Sequence, residues 1–233
     1  MDNSKPLVSV LMSVRNGEQT VEKSIKSILN QSYDYFEFLI VDDCSTDSTL
    51  EKLKILEKQD GRISIFTNSE NIGLTKSLNK LIKNTKGELI ARQDSDDHSN
   101  PERIYTQVRY LLKNNLDAVT SRALIIGSTK KIPGLSYFIP VKLLMKYKNP
   151  FIHGSLIIKK QVLNDLGLYD ENFYYAQDYK LYLDLLSNGY SIKAINKPLY
   201  NLNTINNISS NNKDEQKYYF YCARKKMVPV KKL

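Results

Sequence analysis

Three carboxylates fall within four residues at Asp94-Ser95-Asp96-Asp97, directly after the short run 88–92. Side chains so close repel one another, and a fold tolerates them at low cost when a cation or hydrogen-bond donors compensate the charge. Hard cations such as Mg²⁺ or Mn²⁺ bind one or two such groups and complete their shell with water and substrate phosphates. A diphosphate held through a divalent ion is the chemistry this cluster suits; a cap on the helix opening near Pro101 is the plainer alternative. Two further polar groups, Asn16-Gly17-Glu18 and Asp42-Asp43, also follow apolar runs.

The elements around these groups are legible from periodicity. Residues 7–12 form a β-branched and aliphatic run, followed by Val21, Ile25, Ile28 and Leu29 at helical spacing. Runs at 36–41, 62–67 and 88–92 repeat the pattern, with helical stripes Leu50, Leu53, Leu56 and Leu74, Leu78, Leu81, Ile82 between them. Successive strand-then-helix units predict a parallel sheet covered by helices on both faces. In such sheets ligands bind outside the carboxyl ends of the strands, which is where the three polar groups fall.

Beyond that half, Asn100-Pro101 opens a helix expected to bury Ile104, Val108, Leu111 and Leu112. A strand follows over 117–126, then an irregular, lysine-containing stretch over 129–150 with one short helix. A strand over 153–158, helices over 162–166 and 178–186, and a short strand over 192–195 complete the pattern. Residues 204–212, rich in Asn and Ser, read as flexible. The tail from 213 combines Tyr218-Tyr219-Phe220-Tyr221 with a basic end, which suits either a bilayer interface or packing back on the domain.

The 233 residues, 41% hydrophobic and 25% charged, exclude wholesale disorder, collagen-like repeats and a disulfide scaffold. A formal charge of +9 favours anionic partners. No nucleic-acid-binding motif accompanies the charge, so nucleic acid is not expected. The two cysteines, Cys44 and Cys222, lie far apart and suit a reduced cytoplasmic setting. No apolar segment approaches the roughly 18 residues of a membrane span, and the first apolar run is too short for a signal-peptide core. Neither Gly-x-Gly-x-x-Gly nor a Walker-type Gly-Lys-Ser/Thr follows a strand, which disfavours dehydrogenases and P-loop NTPases.

The segments 8–18, 41–47, 71–74 and 91–97, continuing through Asn149-Pro150-Phe151-Ile152-His153-Gly154-Ser155, Gly167-Leu168-Tyr169-Asp170 and Gln177-Asp178-Tyr179, resemble the successive signatures of family 2 glycosyltransferases. The resemblance covers about residues 6–200. It implies an α/β fold of the GT-A type, with a mostly parallel central sheet flanked by helices, and inverting sugar transfer from a nucleotide diphosphate donor, expected to be UDP-linked.

Carried over position by position, the resemblance implies that Ser13, Arg15, Asn16, Glu18 and Asp43 line the donor pocket, with Asp43 facing the base. Asp94 and Asp96 match the Asp-x-Asp motif that meets the donor and a Mn²⁺ or Mg²⁺ ion. Asp96 is the favoured metal ligand, and Asp97 can share the role. Asp178 matches the carboxylate that deprotonates the acceptor hydroxyl; a helix-start charge is its plainer reading.

Three positions depart from the pattern. Gln177 replaces the Glu beside the base, Arg15 a frequent Tyr, and Gly154 the Pro of His-Pro-Ser. Arg15 suits either diphosphate contact or plain surface. His153 suits either the pocket or a hydrogen-bonded core.

The expected organisation is a nucleotide-sugar half over 1–126, an acceptor and catalytic-base half over 127–200, and a tail over 201–233 that could associate with membrane. The expected acceptor is a glycan or lipid-linked oligosaccharide of bacterial surface polysaccharide synthesis, such as O-antigen or capsule. The site would be cytoplasmic, at the inner membrane face. A non-catalytic nucleotide-sugar-binding module, which Gln177 keeps in view, and a nucleotidyltransferase are the competing classes.

Overall fold

A computed structural model describes residues 5–204 and 213–230. Of the flexible segment expected over 204–212 only Thr204 is described; residues 205–212 and the end of the basic tail, 231–233, lie outside the described residues.

Strands β1 (Val8–Val14), β2 (Phe36–Asp42), β3 (Ile63–Thr67) and β4 (Leu89–Arg92) alternate with helices α1 (Val21–Leu29), α2 (Thr49–Gln59) and α3 (Leu74–Lys83). They pair in parallel in the order β3-β2-β1-β4. The chain then adds β5 (His98–Ser99), α4 (Arg103–Lys113), β6 (Ala118–Ile125), β7 (Lys131–Ile132), α5 (Val141–Leu144), β8 (Ile157–Lys159), α6 (Lys160–Asp165), α7 (Gln177–Ser187), β9 (Ile192–Leu202) and α8 (Lys213–Lys225). β8 enters antiparallel between β4 and β6, and β9 runs parallel to β6. The sheet is therefore mixed, parallel only in its first half and along β6-β9.

Alternation along β1 divides the core. Val8, Val10, Met12 and Val14 meet the apolar stripes of α1, α2 and α4 on one face. Leu11 points to the other, where α3, α6, α7 and α8 pack. The strand order reverses between β1 and β4, so the crevice at their carboxyl ends is the topological switch point.

Four details differ from the sequence reading. Leu112 is exposed, and α4 buries Arg103 and Gln107 beside Ile104, Val108 and Leu111. Residues 153–155 form a 3₁₀ turn, so the strand expected over 153–158 begins only at Ile157. β9 runs eleven residues, continuing through Pro198, because a register irregularity opposite Ser121 to Ala123 accommodates a residue that cannot donate to the ladder. In the tail, Tyr219 is buried against Phe173 and Tyr175, and Phe220 stacks on Tyr179 at 3.9 Å between centroids. Those two rings pack back on the domain, because the chain leading into α7 and Tyr179 of α7 offer them aromatic surface.

Candidate active site

The loops after β1 and β2 are laced together. The Asn16 amide donates to Ser45 Oγ at 2.9 Å, the Thr46 amide to Asn16 Oδ1 at 2.9 Å, and the Gly17 amide to Thr49 Oγ1 at 2.8 Å. Glu18 Oε2 accepts from the Ser48 amide at 3.1 Å. Asn16 and Cys44 hold the left-handed conformation, with φ of 52° and 59°, which lets both loops turn sharply over the sheet edge. The side chains of Asn16 and Glu18 thus brace the two loops against each other, Arg15 is exposed and Ser13 is half-buried.

Asp43 is buried at the end of β2. Its Oδ1 accepts from Asn68 Nδ2 at 2.9 Å and the Ile72 amide at 3.0 Å, and its Oδ2 from the Gly73 amide at 2.9 Å. Two oxygens offer about four acceptor positions, so one on Oδ2 stays open toward a further donor. Gly73 has φ of 82°, and the Tyr174 ring packs over its Cα so closely that an added Cβ would stand 2.7 Å from it.

The carboxylate cluster follows β4. Arg92, fully buried in that strand, donates to Asp94 Oδ1 at 2.6 Å and to the Leu11 carbonyl at 3.0 Å. Tyr200 of β9 accepts from the Asp94 amide at 3.0 Å. Asp96 is pushed up to about 6 by burial and then by the charge of Asp94. Asp97 points inward, accepts from the Asn203 amide at 2.7 Å, and is raised well above the carboxylate range by burial and by both neighbours. Of the three acidic residues, Asp94 and Asp96 remain half-exposed, and Asp97 ties the loop to the end of β9.

Hard oxygen donors in this pair fit Mg²⁺ or Mn²⁺. Among the described residues no group of three or more His, Cys, Asp or Glu side chains is disposed to hold an ion. A cation here would need ligands from a substrate, which is how Mg²⁺ joins one or two carboxylates to phosphates.

Asp178 lies in the first turn of α7, entered through Ala176 at φ 53°. Its Oδ1 accepts from the Tyr179 amide and its Oδ2 from Asn149 Nδ2, each at 2.7 Å. A helix N-terminus favours the charged form. Burial wins, with a further push from Asp94, and raises Asp178 to about 6. Asp94 and Asp178 therefore act on each other electrostatically, and both act on the Tyr169 and Tyr182 hydroxyls. Gln177, half-buried beside it, leaves Asp178 the acidic residue of that turn.

His153 faces Tyr169, with Nε2 2.8 Å from its hydroxyl, and burial and then Arg92 hold the ring well below its usual range, hence neutral. Gly154 sits against the cluster: a Cβ there would stand 2.6 Å from Asp94 Oδ2 and press on Tyr200. The Pro of the resembling pattern therefore has no room in this arrangement.

Sequence reasoning missed Arg92, Asn149, Tyr182 and Tyr200. Arg92 carried a usable signal, since a cation inside a strand buried on both faces needs a carboxylate partner. Tyr200 carried none, because its role depends on how far β9 extends.

The fold class defined by this sheet and crevice is GT-A. It superposes on Staphylococcus aureus TarS residues 1–349 in complex with UDP with TM-score 0.73 and 21% identity, covering 93% of this chain and 64% of that one. For a Pyrobaculum calidifontis mannosyltransferase, PcManGT, in complex with GDP-Man and Mn²⁺, the TM-score is 0.76 at 18% identity, covering 99% and 66%. The description Glycosyl transferase family 2 matches residues 9–179, and the chain belongs to that family.

Relatives include an uncharacterized glycosyltransferase of Haemophilus influenzae, 34% identical over 196 residues and 77% of this chain. This chain spans 60% of that relative's length. The Escherichia coli UDP-Glc:alpha-D-GlcNAc-diphosphoundecaprenol beta-1,3-glucosyltransferase WfgD is 32% identical over 192 residues, covering 82% of this chain and 73% of its own. The E. coli O-antigen biosynthesis glycosyltransferase WbnJ is 34% identical over 227 residues, covering 93% and 86%.

Proposed function

We propose that this chain transfers a glycosyl group, with inversion, from a UDP-linked sugar to a hydroxyl of a glycan or lipid-linked oligosaccharide during surface polysaccharide synthesis. The observation that carries the reading is Asp178, held in the first turn of α7 by Asn149 and the Tyr179 amide, raised to about 6 and within the electrostatic reach of Asp94 at the end of β4. A base needs a pKa near working pH and an orientation fixed by its own hydrogen bonds, and Asn149 with the Tyr179 amide provides the second.

In this reading Asp43 takes one donor from the base and Ser13 and Arg15 border the nucleotide. Asn16 and Glu18 hold the loop, and Asp94 and Asp96 are the residues that would hold Mn²⁺ or Mg²⁺. The ion supplies charge neutralisation of the leaving diphosphate. Asp178 accepts the acceptor hydroxyl proton as its oxygen forms the new bond to the anomeric carbon and the bond from that carbon to the phosphate oxygen breaks. Arg92 positions Asp94, and neutral His153 with Tyr169 borders the cavity. Residues 1–126 then serve the donor and 127–200 the acceptor, in a cytoplasmic setting.

The UDP complex of TarS and the donor and acceptor in the name of WfgD support these choices. The Mn²⁺ complex of PcManGT supports the cation.

The test is purified chain with a panel of nucleotide sugars, with Mn²⁺ and with chelator, scored by thermal stabilisation and then by nucleotide release with acceptor. Stabilisation by a UDP-sugar that chelator abolishes, followed by acceptor-dependent release of UDP, is expected. No stabilisation by any nucleotide sugar refutes the donor site, and binding without release leaves the non-catalytic module.

A further inference from the structure

The segment from Gly127 to Pro150 contains Lys130, Lys131, Lys142, Lys146 and Lys148, all exposed, and no acidic residue. Among these lysines the same stretch presents large apolar side chains to solvent: Leu135 is 88% exposed, Phe138 70%, Leu143 49% and Tyr147 73%. The opposite side of the segment is anchored. Leu144 and Met145 are buried, and the Tyr137 hydroxyl donates to the Ala194 carbonyl at 3.0 Å.

Two ridges result. Leu143 and Tyr147 stand one helical turn apart on the outer face, and Lys142 and Lys146 stand one turn apart beside them, because the turns of α5 continue to Lys148. A monomer in water has no use for a rigidly held apolar ridge of this kind.

The end of α8 approaches the same segment from its buried side. The Tyr179 hydroxyl donates to the Met145 carbonyl, Phe220 stacks on the Tyr179 ring, and Arg224 acts electrostatically on that hydroxyl. Past Arg224 the chain exposes Lys225, Lys226, Met227 and Val228. Lysines and aromatic or aliphatic tips interleaved on one surface, without a carboxylate in the main segment, complement anionic headgroups over an acyl boundary.

We propose that residues 130–148, with the end of α8, dock this protein on an anionic bilayer surface. The docking segment leads through Lys148 into Asn149, whose amide donates to Asp178. Docking therefore sets the base-bearing edge of the cavity beside the bilayer, where the acceptor's lipid anchor lies; this last step rests on the transfer reading above, and the docking does not.

The test is co-sedimentation of the full chain, without donor or acceptor, with vesicles of phosphatidylcholine containing about 30% phosphatidylglycerol and with phosphatidylcholine alone. Two variants are compared, Lys142→Ala/Lys146→Ala and Phe138→Ser/Leu143→Ser/Tyr147→Ser. All these positions are exposed, so melting temperature and UDP binding should match the parent. Each lysine near an anionic surface is worth roughly fivefold in partition, so the first variant should lose at least about tenfold on anionic vesicles. The second should lose binding on both compositions.

A parent that stays in the supernatant, or variants that bind as the parent does, would overturn the proposal. So would a dimer that the same substitutions dissociate with no vesicle binding, which would assign the face to a second copy. Because vesicle binding is read without nucleotide, its failure is separate from failure of the transfer reading.

Discussion

Replacing Asp178 by Asn should slow transfer and stabilise the fold together. In the folded chain Asp178 rises from 3.8 to about 6, chiefly through burial. About two pKa units at ~1.36 kcal/mol each make the buried charge cost about 3 kcal/mol at neutral pH. Asn removes that charge and still offers the Tyr179 amide an oxygen, but its amide group would face Asn149 Nδ2, a loss of about 1–2 kcal/mol. The net gain is about 1–2 kcal/mol, or roughly 2–8 °C in melting temperature for a chain of this size.

The sign with pH follows from the raised value. The folded chain keeps the proton up to about pH 6 and the unfolded chain only to about pH 4. The penalty in the parent is complete above that window and disappears as pH falls through it, so the variant's advantage should be largest near about pH 8, vanish near about pH 5 and reverse near about pH 4, where chiefly the loss at Asn149 remains. Transfer by the parent should rise as Asp178 ionises around pH 6 and level off above. The variant should bind UDP-sugar as the parent does and transfer at least about a hundredfold more slowly. Thermal denaturation across pH, titration calorimetry and saturating kinetics read the three quantities. Full activity in the variant, or a melting difference that is the same at both pH extremes, would refute the reasoning.

Asp96→Asn should weaken UDP binding in Mn²⁺ at least about tenfold by calorimetry while leaving the fold intact, and chelator should bring the parent to the same level; parent affinity unchanged by chelator would count against the cation. Gly154→Ala places a methyl 2.6 Å from Asp94 Oδ2. It should lower stability by about 1–3 kcal/mol in urea unfolding and reduce metal-dependent donor binding, whereas unchanged binding would mean the cluster yields freely. Asp43→Ala removes an acceptor from three donors, Asn68, Ile72 and Gly73, and leaves the Ile72 amide without its side-chain partner. A loss of about 2–4 kcal/mol in stability, with weaker UDP binding, is expected; parent-like unfolding would show that water replaces the carboxylate.

Period and punctuation in the sequence determined the first half of the fold. Val8 to Val14 and Phe36 to Asp42 alternate or run apolar over strand lengths, and Val21, Ile25 and Ile28 recur every three to four residues, so strand, turn and helix are local properties of the chain. The strand-end positions of Asp43 and Asp94 follow from the same pattern, and with them the crevice proposed for the donor. What the pattern could not contain was pairing at long range.

Only the folded chain decided that β8 enters antiparallel, that β9 continues past Pro198 to bring Tyr200 to Asp94, and that Asn149 meets Asp178 across 29 residues. Individual carboxylates were sorted there too. Asp94, Asp96 and Asp97 are equivalent as letters, yet burial turns Asp97 into an anchor for Asn203, Arg92 fixes Asp94, and Asp96 stays half-open. The tail shows the same division, since Tyr219 and Phe220 could have met lipid until Phe173, Tyr175 and Tyr179 presented rings to pack against. Local pattern is a matter of side-chain direction along one element. Desolvation and hydrogen-bond partners are supplied by residues distant in the chain, so the chemistry of a charged group is settled when those residues arrive.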